Sequence, residues 1–258
     1  MGNESIKAPF PWFGGKRKVA PEVWRRFGKV KNYVEPFFGS GAVLLGRPGP
    51  VEGNETINDL DGFVANFWRA IKRDPAAVAE HADNPVNEND LHARHVWLVE
   101  RRESLQASLS GDPDFFDARI AGYWVWGLCC WTGSGFCSGS GPWWIDEDRK
   151  LVHLGDKGRG VNRQLVHLGN GQGVNRKLES IADWFNALSD RLSRVRVCSG
   201  DWSRVCGPSV TFRHGLTGVL LDPPYADTAS RTDKLYREDS LSVAHDVRRW
   251  AIENGDNP

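Results

Sequence analysis

Residues 32–73 constrain the fold more than any other stretch of this chain. Asn32-Tyr-Val-Glu-Pro36 reads as a short buried strand. Phe37 to Gly41 then turns, with glycines at 39 and 41, and Ala42 to Leu45 starts a helix. Glu55-Thr-Ile-Asn-Asp59 reads as a second strand. Phe63, Val64, Phe67, Trp68 and Ile71 follow at helical spacing and predict an amphipathic helix over 61–73. Strand, glycine turn, helix, strand and helix in that order open a parallel α/β sheet.

The remainder supplies more of such a sheet around an insertion. Residues 89–109 and 113–130 are expected to be helical, and they carry much aromatic mass. From Ser134 to Gly173 glycine is too frequent for long helices. Leu178, Ile181, Ala182, Phe185, Leu188 and Leu192 share one stripe, so helix resumes over 175–193. Residues 195–199 and 218–222 read as two more strands, and 241–253 as a last helix. This divides the chain into 1–73, an inserted helical and Gly-rich region at 74–193, and 194–258. Within the insertion, LVHLGDKGRGVNR at 151–163 is repeated as LVHLGNGQGVNR at 165–176. Two copies are too few for a solenoid. A duplicated surface loop and a DNA-contacting pair of turns explain them equally well.

Composition excludes several classes. Thirty-three basic and 33 acidic residues cancel, and 40% hydrophobic with 26% charged residues describes a globular chain rather than a disordered one. The longest apolar run, Tyr123 to Trp131, falls short of the ~18 residues a membrane span needs. The N-terminus lacks a signal-peptide apolar region. The five cysteines contain no CxxC pair, so neither a zinc site nor any other metal is expected, and a reduced cytoplasmic setting fits best. Charge is unevenly spread: Lys157, Arg159, Arg163, Arg176 and Lys177 belong to a basic island at 149–178, and a second island lies within 1–31. Solvated faces are the ordinary explanation of such runs; DNA contact is the functional one.

Three motifs carry chemistry. The strongest is Asp222-Pro223-Pro224-Tyr225, after the apolar Gly218-Val-Leu-Leu221. Two prolines end the strand and stiffen it, holding a carboxylate, a carbonyl and an aromatic ring at a sheet edge where α/β ligands bind. Asp222 and the Pro223 carbonyl suit an exocyclic amine, whose lone pair is delocalised until its N–H groups are held. Tyr225 suits stacking on a base. A plain turn with Asp222 as a helix cap is the alternative. The second motif is Glu35-Pro-Phe-Phe38-Gly39-Ser40-Gly41, where glycines permit close approach of a ligand. Asp59, ending the next strand, is placed to bind ribose hydroxyls, or else it caps the 61–73 helix, as Asp61 could. The third is Pro11-Trp12-Phe-Gly-Gly-Lys16, a loop suited to pack over a cofactor, with Lys16 able to pair with a carboxylate.

Together, Trp12-Phe-Gly-Gly-Lys16, Glu35-Pro-Phe-Phe-Gly-Ser-Gly41, Asn58-Asp59 and Asp222-Pro-Pro-Tyr225 resemble the Dam-like (D12 class) DNA adenine-N6 methyltransferases. The resemblance covers 9–73 and 195–240. It implies a Rossmann-like methyltransferase sheet, S-adenosyl-L-methionine as cofactor and adenine flipped out of double-stranded DNA as substrate. It implies that Trp12, Lys16, Phe38, Gly39, Ser40, Gly41, Asp59 and Asp222 surround the cofactor. Asp201 and Trp202 would lie near its adenine ring, and Asp222 to Tyr225 would hold the base. It implies no metal and no covalent intermediate.

The chain departs from the family in two places. The insertion reads Trp131-Thr-Gly-Ser-Gly-Phe136 where the best-known members carry an Asn-Gly turn. After Tyr225 only one helix is expected, so the strand before Asp222 would lie at a bare sheet edge, either in a shortened chain or beside a partner or dimer mate that completes the sheet. The alternatives to an adenine methyltransferase, alone or in a restriction-modification system, are a remnant that binds cofactor or DNA without turnover, and a cytosine-N4 methyltransferase.

Overall fold

The computed structural model describes residues 6–12, 15–131, 136–137, 143–148, 150–153, 181–224 and 242–257. In chain order its regular elements are α1 (Ala20–Phe27), β1 (Asn32–Glu35), α2 (Ala42–Leu45), β2 (Asn54–Asp59), α3 (Gly62–Arg73), α4 (Pro75–Ala82), α5 (Glu88–Gly111) and α6 (Ala118–Cys130). A hairpin of β3 (Trp143–Ile145) and β4 (Leu151–His153) follows, then α7 (Ile181–Leu192), β5 (Val195–Ser199), β6 (Thr217–Val219) and α8 (Val243–Asn254). Short 3₁₀ turns occupy Lys16–Lys18, Trp202–Val205 and Phe212–His214.

Four strands form one sheet in the order β5-β2-β1-β6, and every pair is parallel. This is the Rossmann-like α/β arrangement expected of residues 32–73. All four residues of β1 are buried, as a central parallel strand requires. Among the described residues β6 has a neighbour on one side only. β6 stops at Val219, short of the expected 222, although the Leu220 amide still donates to the Val34 carbonyl at 2.9 Å. Pro223 and Pro224 have no N–H to extend the ladder.

Caps set the helix starts. The Asp61 carboxylate accepts from the Phe63 amide and opens α3. Asp74, followed by Pro75 at the first helical position, does the same for α4 through the Ala77 amide. The sequence reading has no helix at 75–82, although Asp74-Pro75 is its start signal. The segment is short and packs closely on α6: a Cβ at Gly122 would collide with His81, so that glycine lets the two helices touch. α6 begins at Ala118 rather than 113. Arg69 explains the delay, because its guanidinium donates to the carbonyls of Leu109, Asp112 and Phe115 and holds the chain between α5 and α6 in a turn.

The core is one contiguous cluster that runs from Phe10 through α1–α3 into α4–α6, α7 and β5. Phe67 and Trp68 of α3 are its centre, with Phe10, Trp124 and Phe185 packed edge-on or tilted around Phe67 at 5.3–6.0 Å. The helices of the expected insertion therefore sit directly on α3. Most of the Gly-rich stretch, including both copies of the repeat beyond His153, lies outside the described residues.

Candidate active site

The functional residues gather at the C-terminal ends of the parallel strands. β1 and β6 are hydrogen-bonded neighbours, paired Val34 with Val219. The loop leaving β1 at Pro36 and the corner leaving β6 at Asp222 therefore start side by side, one strand spacing (~4.8 Å) apart. The N-terminal segment bridges them. The Trp12 indole lies against Gly39, and Lys16 Nζ is 2.8 Å from Asp222 Oδ2. Sequence reasoning offered Lys16 a cofactor carboxylate; its partner in the structure is Asp222.

Neighbouring rings require glycine at positions 39 and 41. Gly39 and Gly41 have φ of +51° and +70°, in the left-handed region that disfavours a side chain. A Cβ on Gly39 would strike the Trp12 indole, and one on Gly41 would come within 2.6 Å of the Phe38 ring. Protein rings make this close approach. The Gly39 carbonyl accepts from Trp68 Nε1 at 2.8 Å, which pins the loop to the core. Ser40 is buried in the same turn.

Phe37 and Phe38 are placed differently. The Phe38 ring is buried against Trp68 at 5.1 Å. Phe37 is half-buried and lies 6.4 Å from Trp202, with the two rings 26° from parallel. No sequence signal separated the two phenylalanines; only the direction in which the turn leaves β1 does. Asp201 caps the turn after β5, its Oδ1 accepting from the Ser203 amide at 2.9 Å and hydroxyl at 2.5 Å.

Asp59 is resolved by Asp61. With Asp61 capping α3, the Asp59 carboxylate accepts from the Gly39 amide through Oδ2 and from the Asp61 amide through Oδ1, both at 2.9 Å. It ties the end of β2 to the glycine loop of β1. Tyr225 and the candidate DNA-binding residues Lys157, Arg159, Arg163, Arg176 and Lys177 lie outside the described residues.

Acid outweighs base here. Glu35 is 4% exposed and accepts from the Tyr33 hydroxyl at 2.7 Å. Burial pushes its carboxyl up to about 8; the Tyr33 hydrogen bond opposes the rise, and the charges of Asp222 and Asp59 add to it. Between the ordinary carboxyl range near ~4.3 and that value, the folded chain holds a proton that the unfolded chain has lost. This group therefore makes stability fall as pH rises through that window, by ~1.4 kcal/mol per unit. Glu35→Gln keeps the acceptor for Tyr33 and removes the charge. Its melting temperature is expected to exceed that of the native chain by a margin that grows from pH 5 to about 8 and vanishes near pH 4. Melting curves that run parallel across this range would contradict a buried, proton-holding Glu35.

The comparisons with known proteins follow the same residues. Residues 12–110, from Trp12 to the end of α5, match the model of the D12 class N6 adenine-specific DNA methyltransferases. This segment is similar to the D12 class. Similar proteins include the DNA N-6-adenine-methyltransferase of Escherichia phage P1, 32% identical over 71 residues, which are 28% of this chain and 9% of that protein. They also include the DNA adenine methylase of Vibrio cholerae serotype O1, 28% identical over 102 residues, 39% of this chain and 35% of that protein. The match thus spans about a third or less of the length of each curated relative. No helix among the described residues is long and apolar enough to cross a membrane.

Proposed function

We propose that this chain is an S-adenosyl-L-methionine-dependent DNA adenine-N6 methyltransferase. The observation that carries the reading is the adjacency of two loops. The Asp222-Pro-Pro corner and the Glu35–Gly41 loop leave neighbouring parallel strands, and Trp12 and Lys16 span them. One group of ligands can therefore touch both.

The residues fit such a cofactor by charge. Asp59 and Asp222 both act on Glu35, which keeps its own proton up to about 8, and Lys16 pairs with Asp222. The two carboxylates Asp59 and Asp222 against one Lys16 suit a cation. Bound there, S-adenosyl-L-methionine would supply an electrophilic methyl group on a positively charged sulfur. Trp12 and the Gly39–Gly41 loop would wall the cofactor site, Asp59 and Asp201 would offer acceptors, and Phe37 with Trp202 would offer faces to its adenine.

The target base enters from the Asp222 side. An adenine amino group inside a duplex is stacked and paired, so it must be flipped out, at a cost of a few kcal/mol. Asp222 and the Pro223 carbonyl would accept its two N–H bonds. That localises the nitrogen lone pair and stabilises the positive charge that develops as nitrogen gains a fourth bond. Pro223 and Pro224 keep those acceptors from turning away. Tyr225 would stack on the base. Lys157, Arg159, Arg163, Arg176 and Lys177, in the region 74–193, would neutralise DNA phosphates, and a partner strand could pair with the open edge of β6.

The test is calorimetric titration with S-adenosyl-L-methionine, followed by transfer of a labelled methyl group to mixed-sequence duplex DNA. Nucleoside mass spectrometry then identifies the product. N6-methyladenine is the expected outcome. N4-methylcytosine would refute the choice of base, and cofactor binding without transfer would establish a non-catalytic remnant.

A further inference from the structure

We infer that Asn58 is a positioning residue that ties together the loops carrying Phe37 and Trp202, and so sets the width of the aromatic slot between them. The inference rests on the proposed cofactor reading, because the slot matters only if a planar ring enters it.

Asn58 is the next-to-last residue of β2, the strand between β1 and β5. It is 1% exposed. Its side-chain Nδ2 donates in two directions, to the Pro36 carbonyl at 3.1 Å and to the Gly200 carbonyl at 2.8 Å. Pro36 is the residue before Phe37, and Gly200 stands two residues before Trp202. Main-chain bonds reinforce the tie: the Phe38 amide donates to the Asn58 carbonyl, and the Gly200 amide to the Asp59 carbonyl, both at 3.0 Å. One planar amide thus spans the mouths of two loops that come from opposite neighbours of β2. The rings those loops carry face each other nearly in parallel.

The chemistry of the amide explains the residue type. Two carbonyl oxygens converge on one position, so the side chain there needs two donors on a single atom. Serine offers one. Aspartate would set a third oxygen against the two carbonyls, and leucine would leave both unpaired. Asn58 Oδ1, the other end of the amide, is buried without a hydrogen-bond partner among the described residues. The fold tolerates that unpaired acceptor, which is understandable if the NH₂ end is what the position requires.

A double-mutant cycle on the full chain decides the matter, with affinity for S-adenosylhomocysteine and for adenosine measured by calorimetry. Asn58→Ala and Trp202→Ala are each expected to weaken adenosine binding about tenfold, and the double variant no more than the worse single one, because both act through one loop position. Losses that multiply to about a hundredfold would overturn the inference. Asn58→Ser keeps one donor and serves if the alanine variant does not fold; it is expected to lose less, again without additivity to Trp202→Ala. Hydrogen exchange supplies a ligand-free readout. In Asn58→Ser the Phe38 and Gly200 amides are expected to exchange faster while those of β1 keep their protection; unchanged loop exchange would overturn the tie. A native chain that binds neither S-adenosylhomocysteine nor adenosine would overturn the cofactor reading itself, and with it the use assigned to Asn58.

Discussion

Asp222→Ala is expected to lower the rate of the methyl transfer proposed for this chain by about 10²–10³-fold while leaving the fold in place. The argument for a large kinetic effect is one of timing. An acceptor on the amino hydrogens gains strength as the nitrogen becomes positive, so its removal costs more in the transition state than in the bound ground state. The argument for a small structural effect is exposure. The Lys16–Asp222 pair is short at 2.8 Å, but its side chains are 33% and 39% exposed, so solvent screens it to about 1 kcal/mol or less. That corresponds to a few degrees of melting temperature at most. Asp222→Asn separates shape from charge: it keeps one acceptor oxygen and is expected to retain more activity than alanine and less than the native chain. Single-turnover transfer measured beside cofactor affinity makes the distinction sharp. A variant that transfers within a few-fold of the native rate would mean that Asp222 does not hold the amine, whatever its place in the fold.

How much of this was legible beforehand depends on what kind of information each feature needs. β1, β2, α3 and β5 lie within a residue of their expected bounds, because buried parallel strands and an amphipathic helix leave local patterns, and turn residues bracket them. The family resemblance puts the glycine loop and Asp222 around one cofactor, and the β1–β6 pairing sets the two side by side. What the pattern lacked were the tertiary decisions. The shortened start of α6 depends on Arg69 reaching three carbonyls from another helix. The roles of Phe37 and Phe38 depend on the path of one turn. The partner of Lys16 depends on a segment folding back over the sheet edge. Asp59 and Asp61 were interchangeable on paper, and the geometry of the α3 start separates them. Glu35 was visible only as part of a motif, since its proton depends on burial and on two carboxylates distant in the chain.

Glu55→Ala is expected to destabilise the chain by about 3–5 kcal/mol, the largest stability loss of any single substitution argued from this structure. Glu55, at the second position of β2, is 2% exposed and lies at the end of the sheet away from Asp59 and Asp222. Its carboxylate accepts from Arg47 Nη1 at 2.8 Å and from Arg191 at 2.6 and 2.9 Å. The two arginines reach onward, Arg47 to the Val30 carbonyl and Arg191 to the Leu44 carbonyl, and Arg47 stacks 4.9 Å from the centre of the Trp24 ring. One carboxylate thus gathers α1, the exit of α2, β2 and α7. Removing it leaves two guanidinium groups, 8% and 16% exposed, facing each other without an anion. The penalty comes mainly from those stranded charges rather than from the intrinsic worth of the pairs. The triple variant Arg47→Met, Glu55→Leu, Arg191→Met is therefore expected to be more stable than Glu55→Ala, although it changes three residues instead of one. Chemical denaturation of the native chain and both variants reads the difference directly. A triple variant no better than Glu55→Ala would place the energy in the hydrogen bonds to Val30 and Leu44, and would make the cluster a strut of the fold rather than a balanced set of buried charges.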